Sequence, residues 1–199
     1  MSKKAVTRET ILQQALALAS SSGIAALTIG ELAAASGMSK SGLFAHFGSK
    51  EALQLAVVEA AQAQFVAETL QPVLVLPRGL ARLTALFEAW VGRLAAGRYP
   101  GGCPLLAACY EFDDQPGVVR DALLAGQARL RESLQRMLQD AADNGELPPG
   151  RDPALLAFML FGLIQSAHHD RQLLGRNDGE QLARRGFALL LAPGDGGRA

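Results

Sequence analysis

The stretch over residues 28–50, TIGELAAASGMSKSGLFAHFGSK, limits the folds open to this chain more than any other. Thr28 and Glu31 form a Thr-x-x-Glu capping box, which predicts a helix beginning just after Thr28. Ile29, Leu32 and Ala33 give that helix one apolar face. Gly37 closes it in a left-handed conformation, Met38 fills the corner, and Ser39 caps a second short helix. In the second helix Leu43 and Phe47 face inward, leaving Lys40, Ser41, Gly42, Phe44, Ala45 and His46 outward. Two helices of about two turns cannot hold themselves together alone. A helix-turn-helix whose second helix is free to enter a DNA major groove explains the pattern better than a generic helical hairpin. Its outer first turn, Ser-Lys-Ser-Gly, is small and basic, so backbone can approach phosphates and a lysine can reach a base edge.

The run over residues 37–53, GMSKSGLFAHFGSKEAL, resembles the DNA-binding segment of the TetR family of bacterial transcriptional regulators. Ser39, Lys40, Leu43, His46, Phe47, Ser49, Lys50, Glu51 and Leu53 fall in register with the family pattern, which spans the recognition helix and the start of the fourth helix. There are two departures. Phe44 stands where the family usually has tyrosine, and Ala45 where it has a larger or polar residue. The tyrosine hydroxyl commonly reaches a phosphate; phenylalanine can offer only a contact with sugar or a thymine methyl. The close resemblance covers the first quarter of the chain, and beyond it only length and helix layout agree. It implies DNA contacts from Thr28, Ser39, Lys40, Ser41, Gly42, Phe44, His46 and Lys50. Lys40, Ser41 and Gly42 approach bases and backbone, Phe44 and His46 meet sugar, methyl or phosphate, and Thr28 and Lys50 clamp phosphates on either side.

Charge is distributed in keeping with a DNA-contacting head. The 199-residue chain has zero formal net charge, but residues 1–50 carry five Lys/Arg against two acids, and the remainder carries fourteen against seventeen. DNA contact is therefore expected at one end only, and weak for a single copy. Lys50 opens the fourth helix, where a cation opposes the helix dipole unless an anion sits nearby. The opening MSKKAVTRET lacks the apolar core of a signal peptide, so a cytoplasmic location is expected. The longest apolar run, residues 154–164, is too short to span a bilayer. Cys103 and Cys109 fit a reducing compartment and form no disulfide framework.

The remainder reads as helices throughout, giving an all-α chain of about nine helices. An N-terminal three-helix helix-turn-helix domain is expected within residues 6–66, a larger helical effector-binding and dimerisation domain over 67–192, and a flexible tail over 193–199. The proline-bounded QPVLVLP separates head from body, and Asn177 with Glu180 is expected to cap the last helix. The helix following Asp152–Pro153 is apolar almost all round from residue 154 to 164, more than neighbours within a small domain can cover. Burial against another copy is the economical answer. The resemblance implies a homodimer through the last two helices, with Leu156, Leu160, Phe161 and Leu163 in the interface. It also implies a small effector bound between the body helices, in a pocket expected to use Phe87, Trp90, Val91, Tyr110 and Phe158. Such a pocket suits a largely apolar molecule with one or two polar handles.

Three polar groups have competing readings. Glu111, Asp113 and Asp114 resemble a paired-carboxylate site but sit at a helix junction, where capping explains them. His168 and His169 point about 100° apart on a helix and have no Cys or Glu at ligand spacing, so no metal is expected. Cys103 before Pro104 at a helix start could be a redox thiol or a plain structural one. No catalytic triad or phosphate-binding glycine loop is present, so neither catalysis nor a cofactor is expected. The expected function is a homodimeric repressor that binds a palindromic DNA operator, with recognition helices about 34 Å apart, and is released by a small effector. The alternatives are a constitutive DNA-binding protein without effector and an enzyme or ligand carrier built on the carboxylates at residues 111–114.

Overall fold

The computed structural model describes residues 3–192, with side chains from residue 8 onward. The tail expected over 193–199 lies outside the described residues. Among these residues every regular element is helical: α1 (Lys3–Ser22), α2 (Ile29–Ser36), α3 (Lys40–Phe47), α4 (Lys50–Phe65), α5 (Leu80–Ala95), α6 (Pro104–Glu111), α7 (Val118–Asp143), α8 (Pro153–Gln172) and α9 (Gly179–Leu191). Between α4 and α5 the chain makes a π-helical turn, Val66–Leu70, and a 3₁₀ helix, Gln71–Val75. QPVLVLP is therefore mostly helical, because Pro72 lies in a first turn that needs no amide from it, and Val73 is buried. The chain forms two compact units, one of residues up to Phe65 with Arg98–Gly126, the other of Val66–Gly97 with residues from Gln127 onward.

In the N-terminal unit α2 and α3 are too short to persist alone, and buried leucines supply what they lack. Leu32 of α2 and Leu43 of α3 are fully buried with Ile11, Leu16, Leu53 and Val57. Each such side chain contributes about 1.5–3 kcal/mol on burial. Residues 98–126 belong to this unit because Ala108 of α6, Phe112 just after it, and Val119 and Leu123 of α7 enter the same core. Polar side chains then fasten one backbone to another. Gln54, itself buried, donates to the carbonyls of Ile24 (2.8 Å) and Ala25 (2.9 Å) in the turn after α1. At Gly101 any Cβ would overlap the Ser20 carbonyl, so only glycine allows that approach.

In the second unit α5 buries Leu83, Leu86, Phe87, Trp90, Val91 and Leu94 on one face. Phe87 stacks on Phe187 of α9, with centroids 4.1 Å apart and planes within 7°. Trp90 meets Phe161 of α8 edge-on at 5.9 Å, and the Arg131 guanidinium lies 4.3 Å from the Phe161 ring centre. Such aromatic pairs add about 0.5–1.5 kcal/mol each beyond their burial. α8 and α9 pack closely where Gly186 faces Leu163; a methyl on Gly186 would come within 2.6 Å of the leucine Cδ2. The cap expected from Asn177 and Glu180 does not form. Asp178 is the N-cap but makes no side-chain capping bond, its carboxylate accepting from Arg176 instead, while the buried Glu180 turns inward to Arg171 at 2.8 Å. A carboxylate leaving water gains more from a guanidinium partner than from a backbone amide at an exposed helix end.

Candidate nucleic-acid interface

The turn between α2 and α3 is set by short-range chemistry. Thr28 Oγ1 accepts from the Glu31 amide at 3.1 Å, and Glu31 accepts from the Thr28 amide at 2.9 Å, closing the box that starts α2. Gly37 ends the helix at φ 67°, a conformation that side chains resist. Ser39 Oγ accepts from the Gly42 amide at 3.0 Å and pairs with Ser41 Oγ at 3.2 Å, so its hydroxyl organises α3. With Leu43 and Phe47 buried, the opposite face of α3 carries Lys40, Ser41, Phe44 and Ala45 into solvent. Phe44 is 58% exposed, a large apolar ring left outside a helix with only two buried anchors.

Tertiary packing joins residues that the sequence separates. The Lys40 side chain leans back over Gly30: a methyl placed there would lie 3.7 Å from Lys40 Nζ and 3.7 Å from Thr28 Oγ1. Lys40 and Thr28 thus share the N-terminal edge of α2, where free amides and the helix dipole favour an anion. Ser49 Oγ accepts from the Ala52 amide at 3.0 Å and sets the start of α4, with Lys50 exposed in its first turn. His46 is only half-exposed, its ring tilted against Phe47 at 6.2 Å. Arg8 escaped the sequence reading as a member of this surface. Its guanidinium lies 5.2 Å from the Phe47 ring centre, placing a further cation beside the recognition helix. The only sequence signal for it was the basic cluster at the head of α1.

The second unit redistributes the other expected sites. Phe87, Trp90 and Val91 are buried together, but Phe158 is 66% exposed on α8 and Tyr110 is 65% exposed in the N-terminal unit. Phe158 and Tyr110 are therefore not buried with the other three. Leu156, Leu160 and Phe161 are buried inside the single chain, which leaves little of their surface open to another copy. Leu163 is half-buried against Gly186. The outward apolar residues of these helices are Leu155, Phe158 and Met159 on α8 with Leu182 and Leu189 on α9. The physical reason is rotation about the helix axis: in a run apolar on every side, periodicity cannot say which residues meet α5 and α9.

The polar constellations part company. Glu111 Oε2 accepts the Ala25 amide at 2.7 Å, so this carboxylate fastens α6 to the turn after α1. Asp113 and Asp114 are exposed. His168 is half-buried; burial, then the adjacent His169, push its imidazole below the ordinary value. Among the described residues no group of three or more His, Cys, Asp or Glu converges as metal ligands. Cys103 is the N-cap of α6 without a side-chain cap bond, and neither cysteine is in a disulfide. No described helix is long and apolar enough to cross a membrane.

Comparison with known proteins places this arrangement. The family described as "Bacterial regulatory proteins, tetR family" matches residues 11–57, and "Tetracyclin repressor-like, C-terminal domain" matches residues 79–187, more than half of the chain. The HTH-type transcriptional repressor ComR of Escherichia coli K12 is 26% identical over 163 residues, covering 81% of this chain and 78% of ComR. A TetR transcriptional regulator from Chloroflexus aurantiacus J-10-FL superposes with a TM-score of 0.82 at 26% identity, covering 96% of this chain and 95% of its own. AibR in complex with isovaleryl coenzyme A and operator DNA shares the fold, with a TM-score of 0.77 at 24% identity over 94% of this chain and 98% of its own. With a helix-turn-helix whose recognition face is small and basic, and a helical body matched over most of its length, this chain belongs to the TetR family of bacterial DNA-binding transcriptional regulators.

Proposed function

We propose that the protein is a homodimeric repressor that binds a palindromic operator and leaves it when a small effector occupies the second unit. The observation that carries this reading is the outer surface of α2, α3 and the start of α4. There Lys40 and Thr28 share one helix N-terminus, Ser41 and Phe44 point outward, and Lys50 opens the next helix. Phosphate would lie at the two helix starts, and Lys40, Ser41 and Gly42 would approach base edges from the first turns of α3. Phe44, lacking a hydroxyl, would pack on sugar or a thymine methyl. The likeness to the repressor ComR supports repression over activation, and the family's regulatory role supports action in the cytoplasm.

Dimerisation through α8 and α9 is supported by the apolar residues left outside: Leu155, Phe158, Met159, Leu182 and Leu189. Two copies joined there would present two recognition helices, each weak alone, to successive major grooves. Effector control is supported by AibR, which has the same fold and is known in complex with isovaleryl coenzyme A and operator DNA. An effector releases DNA only to the extent that it binds the competing state better. The test is a salt titration of binding to the protein's own promoter region. Lys50→Ala should weaken binding to every sequence and reduce the salt slope by about one unit; unchanged affinity and slope would remove Lys50 from the phosphate contacts. Lack of any sequence preference in the unaltered protein would overturn the repressor reading.

A further inference from the structure

The second unit contains a cleft of about 410 Å³ bounded by the irregular segment after α4, the start of α5 and the C-terminal half of α7. Its wall carries three guanidinium groups, Arg78, Arg82 and Arg136, against a single carboxylate, Asp140, with Leu70, Leu74 and Met137 as the apolar part. Arg82 cannot swing away from the other two. Its Nε donates to the Leu76 carbonyl at 3.1 Å, and its Nη2 donates to the carbonyls of Leu76 (2.6 Å) and Leu74 (2.9 Å). These bonds orient the group but leave its charge without a carboxylate. Among the described residues Arg78 has no side-chain partner, and Arg136 reaches only Ser133 Oγ at 3.1 Å and, more loosely, Glu132 at 3.6 Å.

The neighbouring cleft on the other side of Arg136 makes an internal control. Arg136 and Gln139 line both, but there the single arginine faces Glu132 and Asp152. The excess of positive charge is thus confined to one of two adjacent hollows of similar size. Like charges lining one hollow repel one another, and an anion placed among them would be attracted by all three. Planar guanidinium groups take carboxylate or phosphate oxygens in paired hydrogen bonds. The volume lies within the range of small-molecule sites. The backbone around the cleft is also irregular: the π-helical turn Val66–Leu70 runs into the 3₁₀ helix, and π turns recur at functional sites.

We infer that this cleft is an effector site for an amphiphilic anion, a carboxylate or phosphate carried on a short apolar chain. The anionic head would sit among Arg78, Arg82 and Arg136, and the chain would lie along Leu70, Leu74 and Met137. This inference rests on the reading of the protein as an effector-controlled repressor, and it places the effector at a site other than the buried aromatic residues around Trp90.

The experiment uses the full chain and four probes with one eight-carbon tail: octanoate, octyl phosphate, 1-octanol and octylammonium. Calorimetric binding and release of labelled operator are read in parallel. One or both anions should bind and release the operator, with the alcohol at least tenfold weaker and the ammonium without effect. The double variant Arg78→Gln, Arg136→Gln should lose at least tenfold in anion affinity. Both residues are exposed, so its unliganded thermal midpoint and operator affinity should stay unchanged. Equal binding of octanol and octanoate, no binding of any probe, or unchanged anion affinity in the double variant would overturn the assignment. Inorganic phosphate binding as tightly as octyl phosphate would also overturn it, because the apolar wall would then contribute nothing. Failure of the unliganded protein to bind its operator would instead strike the repressor reading, so the two failures are told apart.

Discussion

The two compact units are built from the same kind of amphipathic helix and both use side chain-to-backbone bonds, as Arg82 and Arg171 show in the second, yet they differ in what they leave on the surface. In the N-terminal unit polar side chains bond to the backbone of another segment, Gln54 to the carbonyls of Ile24 and Ala25, Glu111 to the Ala25 amide and Gln62 to the Ala122 carbonyl, and Tyr99 donates to the Gln64 side chain. What α3 leaves outward is small or basic, apart from Phe44. In the second unit the aromatic rings are spent inside, Phe87 on Phe187 and Trp90 on Phe161. Large apolar side chains are left outward on α8 and α9, and arginines line an open cleft. A surface that must present fixed groups to a rigid duplex is served by backbone ties. On the proposed reading, a surface that takes up another copy, or a ligand that comes and goes, keeps uncovered apolar area and unneutralised charge.

The strongest way to break this comparison is a charge on the outward face of α8. Phe158→Glu should leave a folded protein that sediments as a monomer, with operator affinity down by roughly 100-fold as the second contact is lost. Leu160→Glu, which forces a charge into the chain's own core, should instead abolish folding. Circular dichroism with sedimentation separates the two outcomes. A dimeric Phe158→Glu protein with normal operator affinity would show that the exposed face is not the one that pairs.

A middle-sized effect is expected where the N-terminal unit is tied. Glu111→Ala removes the acceptor of the Ala25 amide and should cost about 1.5–3 kcal/mol. Hydrogen exchange should place the loss in the turn after α1. If the whole unit loosens uniformly, Glu111 is one packing residue among many and the contrast between tied and open units weakens.

The smallest effect is a pH dependence in the second unit. Burial, and then His169, hold the folded His168 imidazole below its ordinary value, so the unfolded chain takes up a proton first as pH falls. The stability associated with neutral His168 is complete above about pH 6.5 and is lost as pH drops from there toward the lowered folded value. Thermal midpoints measured across that window should decline, and His168→Gln should flatten the decline. An unchanged slope in the variant would assign the dependence to other groups.

Much of this protein was legible in its residues because the deciding interactions span three or four positions. The Thr28–Glu31 box, the Gly37 turn, the Ser39 cap and the inward pair Leu43 and Phe47 follow from local geometry, and all are present. The all-helical class followed in the same way from apolar periodicity. Where the pattern did not discriminate, packing decided. The run over 154–164 is apolar on every side, so the sequence could not tell Phe158, which faces out, from Phe161, which meets Trp90. Glu180 looked like a capping residue until a guanidinium from α8 was placed beside it. Lys40 and Thr28, Arg8 and Phe47, and Arg136 with the neighbouring Arg78 and Arg82 are separated in the chain and meet only through helix packing. Local hydrogen bonds and periodicity thus determined which helices form and where they stop; the rotation of each helix about its axis, and with it every long-range pairing, was settled by packing in three dimensions.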